Sequence, residues 1–146
     1  MDNAHCPFCD ILALRPEKIH FKTKHFFALT PLWPVNDGHI LIVSQRHISD
    51  LFSMNDKESR NLCHALRCGK KFLEERLRPD GYNLGVNSGT AAGQSVFHLH
   101  FHLIYRFTGD VPDPYGGVIR SIMQGYKKTP RPPWLPELTE DTQHKN

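Results

Sequence analysis

His98, His100 and His102 recur at every second position of His98-Leu99-His100-Phe101-His102-Leu103-Ile104. A strand turns alternate side chains to opposite faces, so this spacing places three imidazoles on one face. The intervening positions Phe97, Leu99, Phe101, Leu103 and Tyr105 form an unbroken apolar row. That row commits the register, because a slip of one residue would exchange the two faces. Imidazoles titrate near neutral pH and need hydrogen-bond partners. Three of them backed by solid hydrophobe point to chemistry rather than to filler in a half-exposed strand.

Two neighbouring segments extend the pattern. Residues 87–96, Asn-Ser-Gly-Thr-Ala-Ala-Gly-Gln-Ser-Val, are rich in small side chains, and Gly38-His39 opens the apolar run Ile40-Leu41-Ile42-Val43. Taken together, the spaced histidines, the small-residue loop and the Gly-His pair resemble the histidine triad (HIT) family of nucleotidyl hydrolases and transferases. The likeness runs from about Cys6 to Arg120. It is closest to a zinc-containing bacterial branch similar to diadenosine polyphosphate hydrolases.

The resemblance implies an α+β fold, with a mostly antiparallel sheet of about five strands carrying one long helix. It also implies a homodimer with a sheet shared across the interface. The expected activity is hydrolysis or transfer at the α-phosphate of a nucleotide conjugate, either a dinucleoside polyphosphate or a nucleoside phosphoramidate. By resemblance His100 is the nucleophile, His102 and His39 assist it, and Ser95 serves the leaving group. Asn87, Gly93, Gln94, Ser95 and His102 contact the phosphates in the same reading. One position departs from the family pattern. Pro31 stands eight residues before His39, where relatives carry an acid or amide for the ribose hydroxyls.

The residues themselves support these roles. A backbone carbonyl that holds one ring N–H leaves the other nitrogen of a histidine free as a base. A loop of small residues exposes backbone N–H groups, which make an anion nest. His102, if protonated, would offset phosphate charge, and His39 would orient His100 or touch phosphate. Two other readings stand beside this one. Three histidines with an open position also hold a hydrolytic zinc. A nucleotide-binding adaptor with little turnover would carry the same residues.

Cys6-Pro7-Phe8-Cys9 is a C-x-x-C pair. Such a pair marks either a thioredoxin-like redox site or half of a zinc site. The family resemblance completes it with His47 and His98, a closed Cys₂His₂ set, which would make zinc a structural cofactor. Cys63 and Cys68 lie in a helical pattern and are expected to be buried or half-buried thiols.

The length of 146 residues suits one domain, and the net charge of +3 carries no basic block of the kind that grips nucleic acid. The first six residues lack a charged and an apolar signal region, and no apolar run approaches membrane-spanning length. The expectation is a cytoplasmic protein with no membrane partner. Strands are expected over residues 19–24, 25–30, 39–44, 82–87 and 97–105, and a short helix or loop over 10–19. A capping-box start, Asn55 with Glu58, opens a helix whose stripe is Leu62, Ala65, Leu66, Gly69, Leu73 and Leu77, ending at Pro79-Asp80-Gly81. The catalytic domain is placed at 1–120, with a short element over 118–126. Residues 121–146 are read as a proline-rich arm.

Overall fold

The computed structural model describes residues 6–111 and residue 114. The element over 118–126 and the proline-rich arm lie outside the described residues. The chain is α+β, with a five-stranded antiparallel sheet in the order β1-β2-β3-β5-β4. Its strands are β1 (Ile19–Lys22), β2 (Phe26–Leu29), β3 (His39–Ser44), β4 (Gly81–Val86) and β5 (His100–Arg106). Two α-helices, α1 (Pro7–Leu14) and α2 (Asp56–Glu74), flank it.

β3 reads apolar on both faces and occupies the middle of the sheet, buried along its whole length. Its pairing with β5 sets Ile40 opposite Leu103 and Ile42 opposite Phe101 on one side of the sheet. These residues, with Phe26, Ala28, Leu99 and Tyr105, form the larger core, on which Ala65 and Leu73 of α2 pack. The opposite side carries a smaller core of Phe27, Leu29, Leu41 and Val43, covered by Cys6 and Phe8 at the start of α1. The sheet is therefore clad on both faces, by a long helix on one and a short helix on the other.

α2 starts as its capping box predicts. The Asn55 side chain accepts from the Lys57 and Glu58 amides at 3.0 Å, and Glu58 Oε2 accepts from the Asn55 amide at 2.8 Å. Gly69 lets the helix sit close, since a Cβ there would lie 3.0 Å from both Ile42 Cδ1 and Leu103 Cδ2. The helix ends at Glu74, earlier than Pro79. The Leu73 carbonyl instead collects the Tyr105 hydroxyl at 2.7 Å and the Arg76 and Leu77 amides at 3.0 Å. These donors satisfy an otherwise orphaned terminal carbonyl. Leu77 still packs against the core from beyond the helix.

Other boundaries shift for local reasons. The N-terminal helix begins at Pro7, where a proline is tolerated at the first helical position, so Cys9 is helical. β5 begins at His100, and His98 precedes it. Phe97, counted in the apolar row, is half-buried at the foot of the loop. Cys63 is exposed, not buried as expected, and Cys68 is half-buried; all four cysteines are free. Gly38 is required by packing, because a Cβ would fall 1.7 Å from Tyr105 Cδ2.

Truncating the helix stripe tests this packing. Leu73 is 3% exposed, and Leu73→Ala is expected to cost about 2–5 kcal/mol in urea unfolding. Leu66 is only half-buried, so Leu66→Ala is expected to cost less. An unchanged midpoint for Leu73→Ala would show that this face is not core.

Candidate active site and metal centre

The β3–β5 register brings His39, His100 and His102 to the face covered by α1. His39 lies opposite Ile104, Leu41 opposite His102, and Val43 opposite His100. Phe8 of α1 meets the His100 ring edge-on at 5.1 Å between centroids and the His98 ring at 5.7 Å. The three triad histidines are held in three different ways.

His98 faces the C-x-x-C pair. Its Nε2–H donates to the Ser44 carbonyl at 2.7 Å, which leaves the Nδ1 lone pair 3.3 Å from Cys6 Sγ and 3.6 Å from Cys9 Sγ. His47 Nδ1 lies 3.3 Å from Cys9 Sγ. The ligand atoms of Cys6, Cys9, His47 and His98 all fall within 4.8 Å of one another. A tetrahedral ion at ordinary Zn–S and Zn–N lengths would set neighbouring S and N ligands about 3.5 Å apart. The donor set and spacing fit, so this cluster can hold a metal ion. Burial, with Cys6 and Asp10 adding to the effect, pushes the Cys9 thiol up to about 11.

His100 stands apart from that cluster. Its Nδ1–H donates to the His98 carbonyl at 2.7 Å, so Nε2 carries the free lone pair. Burial lowers its pKa, and the carbonyl contact partly opposes the shift. His100 is 6% exposed. The backbone carbonyl that holds one of its ring N–H groups is that of His98.

His39 contacts His102 rather than His100. The Val35 amide donates to His39 Nδ1 at 3.0 Å, so a neutral His39 keeps its proton on Nε2. That Nε2–H donates to His102 Nδ1 at 2.9 Å. His102 in turn carries its proton on Nε2, as a neutral donor on the triad face. Burial, reinforced by the neighbouring histidines, holds His39 down to about 3 and His102 down to about 4. His102 is therefore neutral at pH 7, not protonated as the sequence reading allowed.

The small-residue loop joins β4 to β5. Gly89 and Gly93 take positive φ, 86° and 80°, on either side of a single helical turn at Thr90–Ala92. Only glycine enters that region freely. The Gly89, Ala92, Gly93 and Gln94 amides are bonded within the loop. The nest is thus narrower than expected: the Ser88, Thr90, Ala91 and Ser95 amides are not used by other described residues. Gln94 is buried and shapes this loop. Its Oε1 accepts from the Gly89 amide, and its Nε2 donates to the Ser49 and Val96 carbonyls. Asn87 Nδ2 reaches the Gly93 carbonyl at 3.4 Å, and Ser95 is exposed. Pro31 is half-buried just beyond β2.

Several supporting residues carried no signal in the sequence. Ser44 supplies the His98 acceptor, and Val35 sets the His39 tautomer. Arg46 clamps Glu58 with two contacts of 2.8 Å, tying the chain just before His47 to the start of α2. Glu58 was legible as a capping residue, but its second role depends on a contact across twelve residues.

The lowered histidine pKa values give a pH dependence of known sign. Below the ordinary value of 6.5 the unfolded chain takes up protons that folded His39 and His102 refuse. Their contribution is complete above 6.5 and is lost as pH falls toward 4 for His102 and 3 for His39. The unfolding free energy from urea titration is expected to drop between about pH 7 and pH 5, by about 1–2 kcal/mol per ring. Nitrogen-15 NMR is expected to show His39 protonated on Nε2 throughout that range. Titration of either ring near 6.5 would contradict this arrangement.

Known proteins match this architecture. Residues 14–109 match the family model described as the HIT domain. The chain is 39% identical over 108 residues to an uncharacterized HIT-like protein of Methanocaldococcus jannaschii, covering 72% of this chain and 81% of that one. It is 36% identical over 107 residues to the AP-4-A phosphorylase of Mycobacterium tuberculosis, covering 71% of this chain but only 55% of the phosphorylase. A crystal structure of a HIT family member from Bacillus subtilis superposes with a TM-score of 0.67 at 31% identity, covering 78% of this chain and 80% of that one.

Proposed function

The chain belongs to the HIT domain family, and on that premise we propose that it hydrolyses or transfers at the α-phosphate of a nucleotide conjugate, with His100 as nucleophile. The substrate class is a dinucleoside polyphosphate or a nucleoside phosphoramidate. The name of the mycobacterial relative, AP-4-A phosphorylase, supports the first of these. The observation that carries the reading is the 2.7 Å contact from His100 Nδ1–H to the His98 carbonyl. It leaves Nε2 as the nucleophilic nitrogen. Burial keeps the ring neutral before attack.

In this mechanism the Nε2 lone pair forms a bond to the α-phosphorus as the bond to the leaving group breaks. The ring becomes cationic, and the His98 carbonyl then accepts a charge-assisted hydrogen bond from Nδ1–H. Neutral His102 donates Nε2–H to a non-bridging oxygen, and His39 holds it in that tautomer. The free amides of the 88–95 loop cover the remaining phosphoryl charge. The Ser95 hydroxyl donates a hydrogen bond to the leaving-group atom, which departs with the bonding electron pair. Water then attacks phosphorus, the N–P bond breaks with its electrons returning to Nε2, and the proton from water passes to solvent. Asn87 and Gly93 border the phosphates, and Gln94 fixes the loop that meets them.

The metal in this reading is zinc, held by Cys6, Cys9, His47 and His98. When bound, it supplies a structural crosslink between the N-terminal segment and the residue whose carbonyl holds His100. The reading also includes a cytoplasmic homodimer whose sheet continues across β4. The outer edge of β4 has no partner among the described residues, and Leu84 on that strand is 46% exposed. Residues 1–120 form the catalytic domain and 121–146 an arm.

Three variants separate the histidines. His100→Ala is expected to lower turnover of a dinucleoside polyphosphate by more than about a thousandfold while nucleotide binding and zinc content persist. His102→Ala is expected to slow turnover by roughly 10²–10³ without unfolding the chain. His98→Ala is expected to lose zinc and melt earlier. Wild-type hydrolysis by His100→Ala, or loss of its zinc, would overturn the nucleophile assignment. A nucleotidyl adduct on His100, seen by mass spectrometry after rapid quenching, distinguishes turnover from simple binding.

The metal assignment has its own test. The purified protein is expected to carry about one zinc per chain, and strong chelation to lower its melting temperature. Absence of zinc, with Cys6 and Cys9 freely alkylated in the native protein, would refute it.

A further inference from the structure

A group of basic side chains on the helix side of the sheet takes no part in this chemistry. Lys24 and His25 come from the turn between β1 and β2, and Lys57, Arg60 and Asn61 come from the first two turns of α2. Residues at i, i+3 and i+4 share one helix face. Together the five line an open basin of about 260 Å³. α2 packs on the side of the sheet opposite the triad histidines, so the basin is separate from the catalytic face.

The basin is rich in donors and poor in acceptors. Lys24 and Lys57 have no carboxylate partner among the described residues. Arg60 has Asp56 at 3.9 Å, with both side chains largely exposed, a pairing that contributes little. Glu58, whose pKa is lowered by Arg46 first and by His25 in smaller part, is already clamped by Arg46. The Asn61 Oδ1 accepts from the Thr23 hydroxyl at 3.2 Å, so its amide NH₂ remains for the cavity. Three permanent cations, an imidazole and an amide donor from two separate elements converge on one small space.

We propose that this basin is a second anion site that takes a short phosphate chain. The chain is either inorganic pyrophosphate or tripolyphosphate, or the polyphosphate arm of a nucleotide. The charge of the basin favours this class, since three cations on two elements match several oxygens in a row. A nucleic-acid backbone would call for a longer basic stripe than these residues provide. Occupancy would tie the β1–β2 turn to α2 and raise stability by mass action. The inference stands whether or not His100 is a nucleophile.

The test is a two-dimensional NMR titration of the full chain with sodium tripolyphosphate, at fixed ionic strength, with ATP as a second arm. The expected result is saturable shifts of the amides of residues 23–25 and 57–61, distinct from any shifts near residues 88–102. Lys57→Gln/Arg60→Gln is expected to weaken the first set by at least about tenfold while hydrolysis by the enzyme stays at the wild-type rate. Equal shifts with tripolyphosphate and ATP identify the phosphate chain as the recognised group. Shifts at residues 23–25 and 57–61 that appear with ATP but not with tripolyphosphate assign the source to a nucleotide. Shifts confined to residues 88–102, or an affinity unchanged in the double variant, would overturn the site. A single-stranded oligonucleotide binding the basin more than tenfold tighter than tripolyphosphate would overturn the ligand class.

Discussion

Pairing β3 with β5 antiparallel, with Leu41 opposite His102 and Val43 opposite His100, divides each strand between two environments. Even-numbered β3 positions and odd-numbered β5 positions turn toward α2 and supply Ile40, Ile42, Phe101, Leu103 and Tyr105 to the larger core. The others turn toward α1 and carry the histidines. Burying residues such as Ile42, Phe101 and Leu103 contributes about 1.5–3 kcal/mol each, so the register that fills the core also aims the imidazoles. A one-residue slip would forfeit both at once.

On this frame, backbone groups decide what each histidine can do. The Ser44 carbonyl takes the His98 Nε2–H and turns Nδ1 toward the cysteines. The His98 carbonyl takes the His100 Nδ1–H and frees Nε2. The Val35 amide donates to His39, which then donates to His102. Burial keeps the rings of His39 and His102 neutral, so each has one donor and one acceptor with fixed assignments. His98 sits at the junction: its ring faces the candidate metal cluster while its carbonyl holds His100. A disturbance at the cysteines therefore reaches the His100 ring through one residue.

Much of this was legible beforehand. Period-two alternation revealed the triad strand and its apolar back. The double-sided hydrophobicity of residues 40–43 marked β3 as central, and Asn55 with Glu58 marked the start of α2. Each of these is a local pattern with a direct geometric consequence. The C-x-x-C pair was visible as a possible ligand pair, but its spacing also suits redox chemistry. Convergence with His47 and His98 across 38 to 92 residues supplies the two further ligands that the metal reading needs. The small-residue loop was visible as a stretch whose side chains leave backbone N–H groups accessible. Which amides remain free was not, because Gln94 folds inward and the loop bonds to itself.

The sequence by itself determined the two-faced strand, the helix with its capping box, and the residue types gathered for phosphate chemistry. These follow from side-chain alternation and short-range hydrogen bonding, which need no knowledge of distant neighbours. Only the tertiary structure decided that His39 serves His102, that Gln94 braces the loop, and that Arg46 meets Glu58. It also decided the protonation of the triad face. A histidine near neutrality is balanced between two states, and burial with one fixed backbone partner tips it; both depend on which segments pack together.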